Sequence, residues 1–337
     1  MAKYFFKHLD IIEKYFKNPD LSDVLYNMWT ESHRYWHSIS HLNFLLKNIE
    51  EHQYYLTNDR YEALLIAAYF HDVIYFPDKN DNEEESVYFL LKQPNTLPGT
   101  LIKTIIEIIK GTKLNVHPRD KLSELFWTLD NNIFFKGSYI DLINYEKAIF
   151  KEYQYASYEL YKSGRIEFLK TRLNIDVFPK ERIEFLINYV ENFKPKIGVY
   201  AGSFNPFHIG HMNILQQAEK LFDKVIIAYG NNPDKLERKV ESIEGLRFRE
   251  TDTYNVLITT YLDKIKNYGA DVSLIRGLRN GNDLNYELVQ SQFIQDLRPN
   301  TQIVYFTCDK QFEHISSSAI RNLAKFDIEL SKKYIIK

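Results

Sequence analysis

Two groups of residues combine types and spacings that suit phosphate chemistry. The run Gly202-Ser203-Phe204-Asn205-Pro206-Phe207-His208-Ile209-Gly210-His211 sets two histidines, separated by Ile-Gly, behind a loop of small residues. Imidazoles there can donate to a phosphate whose charge is changing. Glycines let the backbone approach a ligand, and the free N–H groups of a helix start attract phosphate oxygens. Read alone, the loop also fits a tight strand-to-helix turn with incidental histidines. The second group is His37 and His41, the adjacent pair His71-Asp72, and the distant Asp130. Histidine and aspartate are ligands for divalent metals. His37 and His41 stand at i, i+4, which puts both on one face of a helix. With His71-Asp72 closing an apolar helix and Asp130 closing another, the set can converge in a bundle core.

The elements that must position these residues divide the chain. Over residues 1–193, segments such as Tyr61–Phe70, Leu101–Ile109 and Leu122–Leu129 carry apolar residues at helical spacing. Gly and Pro fall between them, so this part is expected to be an all-α domain. The pattern changes near residue 194. IGVYAG, KVIIAYG, DVSLIRG and TQIVYFT read as strands. Met212–Phe222, Tyr254–Tyr268, Asp283–Leu297 and a last segment near Ser317 read as helices. Apolar strands alternating with helices imply a parallel sheet covered on both faces. Residues 194–337 are therefore expected to be an α/β, Rossmann-like domain, with the histidine loop at the carboxyl edge of its first strand, where such sheets bind ligands.

Bulk properties narrow the function. In 337 residues, 45% are apolar and the formal charge is −2, which leaves no basic footprint for nucleic acid or a membrane surface. One cysteine, Cys308, excludes intramolecular disulfides and thiolate-rich zinc sites. No apolar run has the length of a signal peptide core or a membrane span. A cytoplasmic protein acting on small molecules is expected.

GSFNPFHIGH resembles the HxGH signature of the nucleotidyltransferase superfamily. NNPDK (231–235), LIRGLRNGNDLNYE (274–287) and ISSSAIR (315–321) follow in the order found in phosphopantetheine adenylyltransferase. The resemblance covers about residues 195–327. It implies adenylyl transfer from ATP, with Mg²⁺, to a phosphopantetheine-like acceptor. On this resemblance Ser203 positions the acceptor phosphate, His211 holds the α-phosphate, and His208 sits against the nucleotide phosphates. Lys235 bridges the acceptor and donor phosphates, Arg276 faces the acceptor and Arg279 faces ATP. Glu287 meets the nucleotide, Ser316, Ser317 and Ser318 receive the β- and γ-phosphates, and Gly202 and Phe204 belong to the same loop. The stretch between Lys235 and Tyr254 is compressed relative to the family. A nicotinamide or sugar phosphate therefore stays open as the acceptor, with the helical domain a non-catalytic nucleotide sensor in that reading. Enzymes of this type often assemble into rings, and an extra helical domain could alter or block such a homo-oligomer.

SHRYWHSISH, AAYFHDVIY, DNEEES (81–86) and LDNNI (129–133) resemble the small HD-superfamily metal-dependent phosphohydrolases over about residues 25–165. That resemblance implies a divalent ion (Mn²⁺, Mg²⁺, Fe²⁺, Co²⁺ or Ni²⁺) on His41 or His37, His71, Asp72 and Asp130. It gives Glu83 and Glu84 proton handling or support of the ligands, and a phosphoester as substrate.

Overall fold

The computed structural model describes residues 2–113, 117–118, 120–230 and 243–337. The chain forms two compact units. One comprises residues up to Tyr153 together with Ser163–Glu191, and the other comprises Gln154–Lys162 with Asn192–Lys337. A single cut at 193/194 misses the short Gln154–Lys162 segment. Its membership has a physical cause. The fully buried Lys224 amine donates to the carbonyls of Gln154 and Ala156, and the Tyr158 hydroxyl donates to the Phe193 carbonyl.

The first unit is helical and is organised around helix Asn58–Phe70. Every residue from Ala63 to Phe70 is buried, so this helix has no solvent face along its second half. A helix apolar on all sides belongs in the middle of a bundle. Helices Leu9–Tyr15, Ile39–Glu51, Asn82–Lys92, Gly99–Gly111 and Lys121–Asp130 pack on it. It stops at Phe70, so His71 and Asp72 lie in the turn that follows. Carbonyls at such an end have no intrahelical partner. The buried indole of Trp29 donates to the Tyr69 carbonyl at 2.9 Å, and the Arg34 guanidinium donates to those of Asp72 (2.7 Å) and Val73 (2.9 Å).

The second unit holds five parallel strands: β1 (Lys196–Gly202), β2 (Lys224–Gly230), β3 (Glu250–Tyr254), β4 (Asp271–Leu278) and β5 (Gln302–Thr307), in the order β3-β2-β1-β4-β5. The central strands β1 and β2 are nearly continuous buried runs, as strands covered on both faces must be. The chain steps outward from β1 to β2 and β3, then returns to place β4 on the other side of β1. Connections leaving β1 and β4 therefore diverge, and a crevice opens between them at the strands' carboxyl ends.

Two helical expectations are corrected. Tyr254 ends strand β3, and the helix expected from Tyr254 runs from Ile258 to Lys266. ETDTY is too polar to read as a strand, yet it pairs with β2 at the sheet edge, where only one side needs a partner. His37 is not on the helix that carries His41. Ser38 is extended at the position just before Ile39–Glu51, leaving His37 in the preceding bends.

Candidate functional site

In the α/β unit a cleft of about 400 Å³ occupies the crevice beyond the strand ends. The connections after β1, β4 and β5 supply its walls. Ser203, His208, His211, Arg276, Arg279, Glu287, Ser316, Ser317 and Ser318 all line it, with Gly202 and Phe204 at its floor. Lys235 lies outside the described residues.

The histidine loop is built by close packing. A Cβ on Gly202 would meet the Phe204 ring at 2.9 Å, so no side chain fits there without displacing that ring. Phe204 has φ 41°, a left-handed conformation unusual for a bulky residue. Its buried ring, packed on Tyr200, Phe207, Tyr229 and His211, holds it there. Phe204 thus shapes the loop from the core side.

His208 caps helix Ile209–Leu221, and the two histidines brace each other. Nδ1 of His208 accepts the His211 backbone N–H, and Nδ1 of His211 accepts the His208 backbone N–H, each at 3.3 Å. The rings stack with centroids 3.6 Å apart. An accepting Nδ1 carries no proton, so the proton of each neutral ring sits on Nε2, the remaining hydrogen-bonding atom. Burial, reinforced by the Arg279 charge, pushes His208 down to about 4. Burial, then His208 and Arg279, holds His211 well below the usual imidazole range. Both rings are therefore neutral Nε2–H donors at pH 7. The loop is also tied to residues far along the chain. The Tyr334 carbonyl accepts the Ile209 N–H at 3.0 Å, and the Ile336 N–H donates to the Phe207 carbonyl at 3.3 Å.

Opposite the histidines, Arg276 donates to the Ala201 carbonyl at 3.1 Å, and its Nε lies 3.2 Å from Glu287, too bent for a hydrogen bond. Arg279 is held by Asp283 in a two-pronged pair of 2.8 and 2.9 Å. Asp283, which sequence reasoning did not assign, is recognisable only from the structure, because Arg279 precedes the helix that carries it. Ser316 caps helix Ser317–Ala324, Ser317 donates to the Pro206 carbonyl, and Ser318 accepts from Arg321. These contacts anchor the serine cluster to the histidine loop.

In the helical unit, His41, His71 and Asp72 offer ligand atoms that all lie within 4.8 Å of one another. Asp130 Oδ1 is 2.9 Å from His41 Nε2 and 3.6 Å from His71 Nε2. The structure thus brings together His41, His71, Asp72 and Asp130. His71 carries the most telling geometry. Its Nδ1 faces the Ala68 carbonyl at 2.9 Å, which requires the proton on Nδ1. Its buried Nε2 has no hydrogen-bond partner and faces Asp72 Oδ2 at 3.2 Å. Burial alone would push this imidazole down. The Asp72 charge and the Asp130 and Asp72 carboxylates override it and hold it up at about 10. Burial opposes ionisation of Asp72 as well, but His71 keeps its carboxyl down at about 2.

His37 has a different partner. Glu152, fully buried at the end of helix Tyr139–Glu152, accepts the backbone N–H groups of Tyr35, Trp36 and His37 on Oε1. Its Oε2 takes His37 Nδ1 and the Tyr75 hydroxyl, each at 2.7 Å. Of the two glutamates, Glu83 is lifted by burial and then by Asp72 among its neighbouring charges, whereas Glu84 is half exposed and paired with Lys113. Asn82 and Ser86 of the same stretch hydrogen-bond the backbone of Phe76 and Ile74, fixing the turn beyond Asp72.

A parallel sheet with paired histidines on the first helix start, facing arginines and a capped serine cluster across the switch point, is the arrangement of a nucleotidyltransferase. Residues 199–323 match the domain family described as cytidylyltransferase-like. The chain belongs, through this part, to the phosphopantetheine adenylyltransferase family. It is 37% identical over 148 residues to the phosphopantetheine adenylyltransferase of Mycoplasma capricolum, covering 99% of that protein and 41% of this chain. The corresponding protein of Cytophaga hutchinsonii is 38% identical over 143 residues, with 94% of it and 40% of this chain aligned. That of Chloroflexus aurantiacus is 35% identical over 135 residues, 83% of its length and 38% of this chain. Among the described residues no helix is long and apolar enough to cross a membrane.

Proposed function

We propose that residues 194–337 form a domain that transfers the adenylyl group of ATP, accompanied by Mg²⁺, to 4′-phosphopantetheine, giving dephospho-coenzyme A and pyrophosphate. The observation that carries this reading is the convergence of His208, His211, Arg276, Arg279 and Ser316–Ser318 on one cleft. An oxygen of the acceptor phosphate attacks the α-phosphorus, the bond from that phosphorus to the bridging oxygen breaks, and pyrophosphate leaves. No covalent intermediate is needed. Placement and donors aimed at the developing charge supply the rate. Neutral Nε2–H donors suit the task because they hydrogen-bond the phosphate without transferring a proton to it. Arg279 meets the polyphosphate by exchanging the Asp283 carboxylate for phosphate oxygens, a swap between two anions of similar geometry. Ser203 and Arg276 bind the acceptor side, Glu287 meets the nucleotide, and Lys235 bridges the phosphates on family resemblance. Pyrophosphate release from ATP and Mg²⁺, with and without 4′-phosphopantetheine, tests this. Release that does not depend on the acceptor, or its absence in folded, ATP-binding protein, would shift the acceptor to another phosphate ester.

For residues 1–193 the reading is a metal-dependent phosphohydrolase domain of HD type. His41, His71, Asp72 and Asp130 fit a divalent ion, since the buried Nε2 of His71 makes no hydrogen bond yet faces the Asp72 and Asp130 carboxylates, and a metal bound there would take the place of its proton. Such an ion supplies a bound water of lowered pKa. The chain's own residues orient it. The Ala68 carbonyl sets the His71 tautomer, Arg34 fixes the turn carrying Asp72, and Glu83 is placed to handle a proton. Metal content of the purified protein and of Asp72→Ala tests the site. Equal metal in both would remove it.

A further inference from the structure

Beside His41 and Asp130 the helical unit opens a cavity of about 600 Å³, and its walls differ sharply in chemistry from the cleft of the α/β unit. There, two arginines and two histidines face the space. Here Lys136 is the only cation among the lining residues. Of the two carboxylates, Asp130 pairs with His41, and Asp141 is engaged by the Ser138 N–H and hydroxyl. What remains is neutral: the rings of Tyr35, Trp36 and Phe44, and the amides of Asn132 and Asn144. Tyr35 and Phe44 stay largely exposed at this wall although they are large and aromatic. Asn132 is only 8% exposed, yet among the described residues its side-chain amide makes no hydrogen bond. An amide left free at a cavity wall is available to hydrogen-bond a ligand.

We infer that this cavity binds a phosphomonoester with one phosphoryl group and an uncharged, hydrogen-bonding body, and discriminates against nucleoside polyphosphates. The inference rests on the phosphohydrolase reading for the placement of the phosphate at His41 and Asp130. A divalent ion there offsets Asp72 and Asp130, and Lys136 adds one positive charge for a monoester dianion. Further phosphates would meet the Asp130 and Asp141 carboxylates and neutral rings with no additional cation among the described lining residues. The ring walls and Asn132 take the neutral body. Hydrolysis adds water across the ester, with hydroxide joining phosphorus and the proton leaving on the released alcohol.

The test uses tryptophan emission of the full chain, because Trp29, Trp36 and Trp127 are its three tryptophans and Trp36 lines the cavity. EDTA-treated and Mn²⁺-loaded protein are titrated with AMP, 4′-phosphopantetheine, ATP and pyrophosphate. At least one monoester should change the emission at a concentration at least tenfold below that needed for ATP. Trp36→Phe should abolish the change, and Asn132→Ala and the exposed Lys136→Ala should each weaken the binding about tenfold. The two monoesters distinguish a planar base from a flexible amide chain as the neutral body. ATP or pyrophosphate acting as tightly as either monoester would overturn the inference, as would no response to either monoester. Mn²⁺ content is measured in parallel. Protein that binds monoesters but no Mn²⁺ keeps the cavity assignment and loses the hydrolase reading, and the converse loses only the cavity assignment.

Discussion

Replacing Glu152 should destabilise the helical unit in a manner that depends on which oxygen is lost. Oε1 accepts three consecutive backbone N–H groups, at 2.8, 2.7 and 2.8 Å, and Oε2 accepts from His37 and Tyr75. Glu152→Ala strips all five donors, and each buried group left unpaired costs about 1–3 kcal/mol. Relaxation and entering water lower the sum, so the expected loss is about 4 kcal/mol, comparable to breaking a buried charge pair. Glu152→Gln keeps an oxygen for the three N–H groups and puts an amide NH₂ donor where His37 and Tyr75 need an acceptor, so about 1–2 kcal/mol should be lost. Urea unfolding followed by tryptophan emission reports this unit, which contains all three tryptophans. With a slope of about 2 kcal/mol per molar, the midpoint should fall by about 2 M for Ala and by about 0.5–1 M for Gln. The pH dependence follows from opposite shifts. Burial pushes His37 down, but Glu152 outweighs it and leaves the imidazole above 6.5, so its stabilisation is complete below 6.5 and is lost as pH rises through the folded value. Burial likewise opposes ionisation of Glu152, but His37 and the hydrogen bonds keep it below 4.5, so its share is present above 4.5 and is lost as pH falls through the folded value. The gap between wild type and Gln should be widest between those two values. A Gln variant as unstable as Ala, or an Ala variant within about 0.5 kcal/mol of wild type, would show that the carboxylate does not hold the turn.

His211→Ala should lower acceptor-dependent pyrophosphate release at least about 100-fold, the effect of losing one transition-state donor, while the helical unit's urea midpoint stays unchanged. Asp72→Ala should lose metal without changing adenylyl transfer. Transfer lost in a folded Asp72 variant would refute two independent sites. The α/β unit should weaken as pH falls from 6.5 toward 4, because the unfolded His208 takes up a proton that the buried ring refuses, a difference of about 3 kcal/mol by linkage. His208→Asn, which retains a capping side chain, should remove the His208 share of that dependence in thermal melts at pH 7.5 and 5 and leave the share of His211, whose buried ring also refuses a proton.

How legible these features were depended on whether their cause was local. Strands β1, β2 and β4 announce themselves as apolar runs because both faces are covered, whereas the edge strand ETDTY has nothing in its composition to mark it. The His71-Asp72 pair is visible as a motif. The choice between His37 and His41 was not, since i, i+4 spacing is uninformative when the helix begins between them at Ile39. Glu152 lies 115 residues from the histidine it holds, and no local pattern links them. Asp283 and Asn132 likewise acquire meaning only from what faces them. Both read as ordinary polar residues of a helix until the cleft and the cavity are seen.

The ties from Tyr334 and Ile336 to the histidine loop bear on the order of events during synthesis. Strand β1 and the loop leave the ribosome early, but the partners of Phe207 and Ile209 are made only after the rest of the sheet. At roughly 5–20 residues per second, translation needs on the order of ten seconds to travel from His208 to Ile335. A nascent chain can thus carry a nearly complete sheet whose histidine loop still lacks its brace. Competence for transfer would then arrive late and abruptly, and a chain stalled before residue 334 would be folded in outline yet inactive.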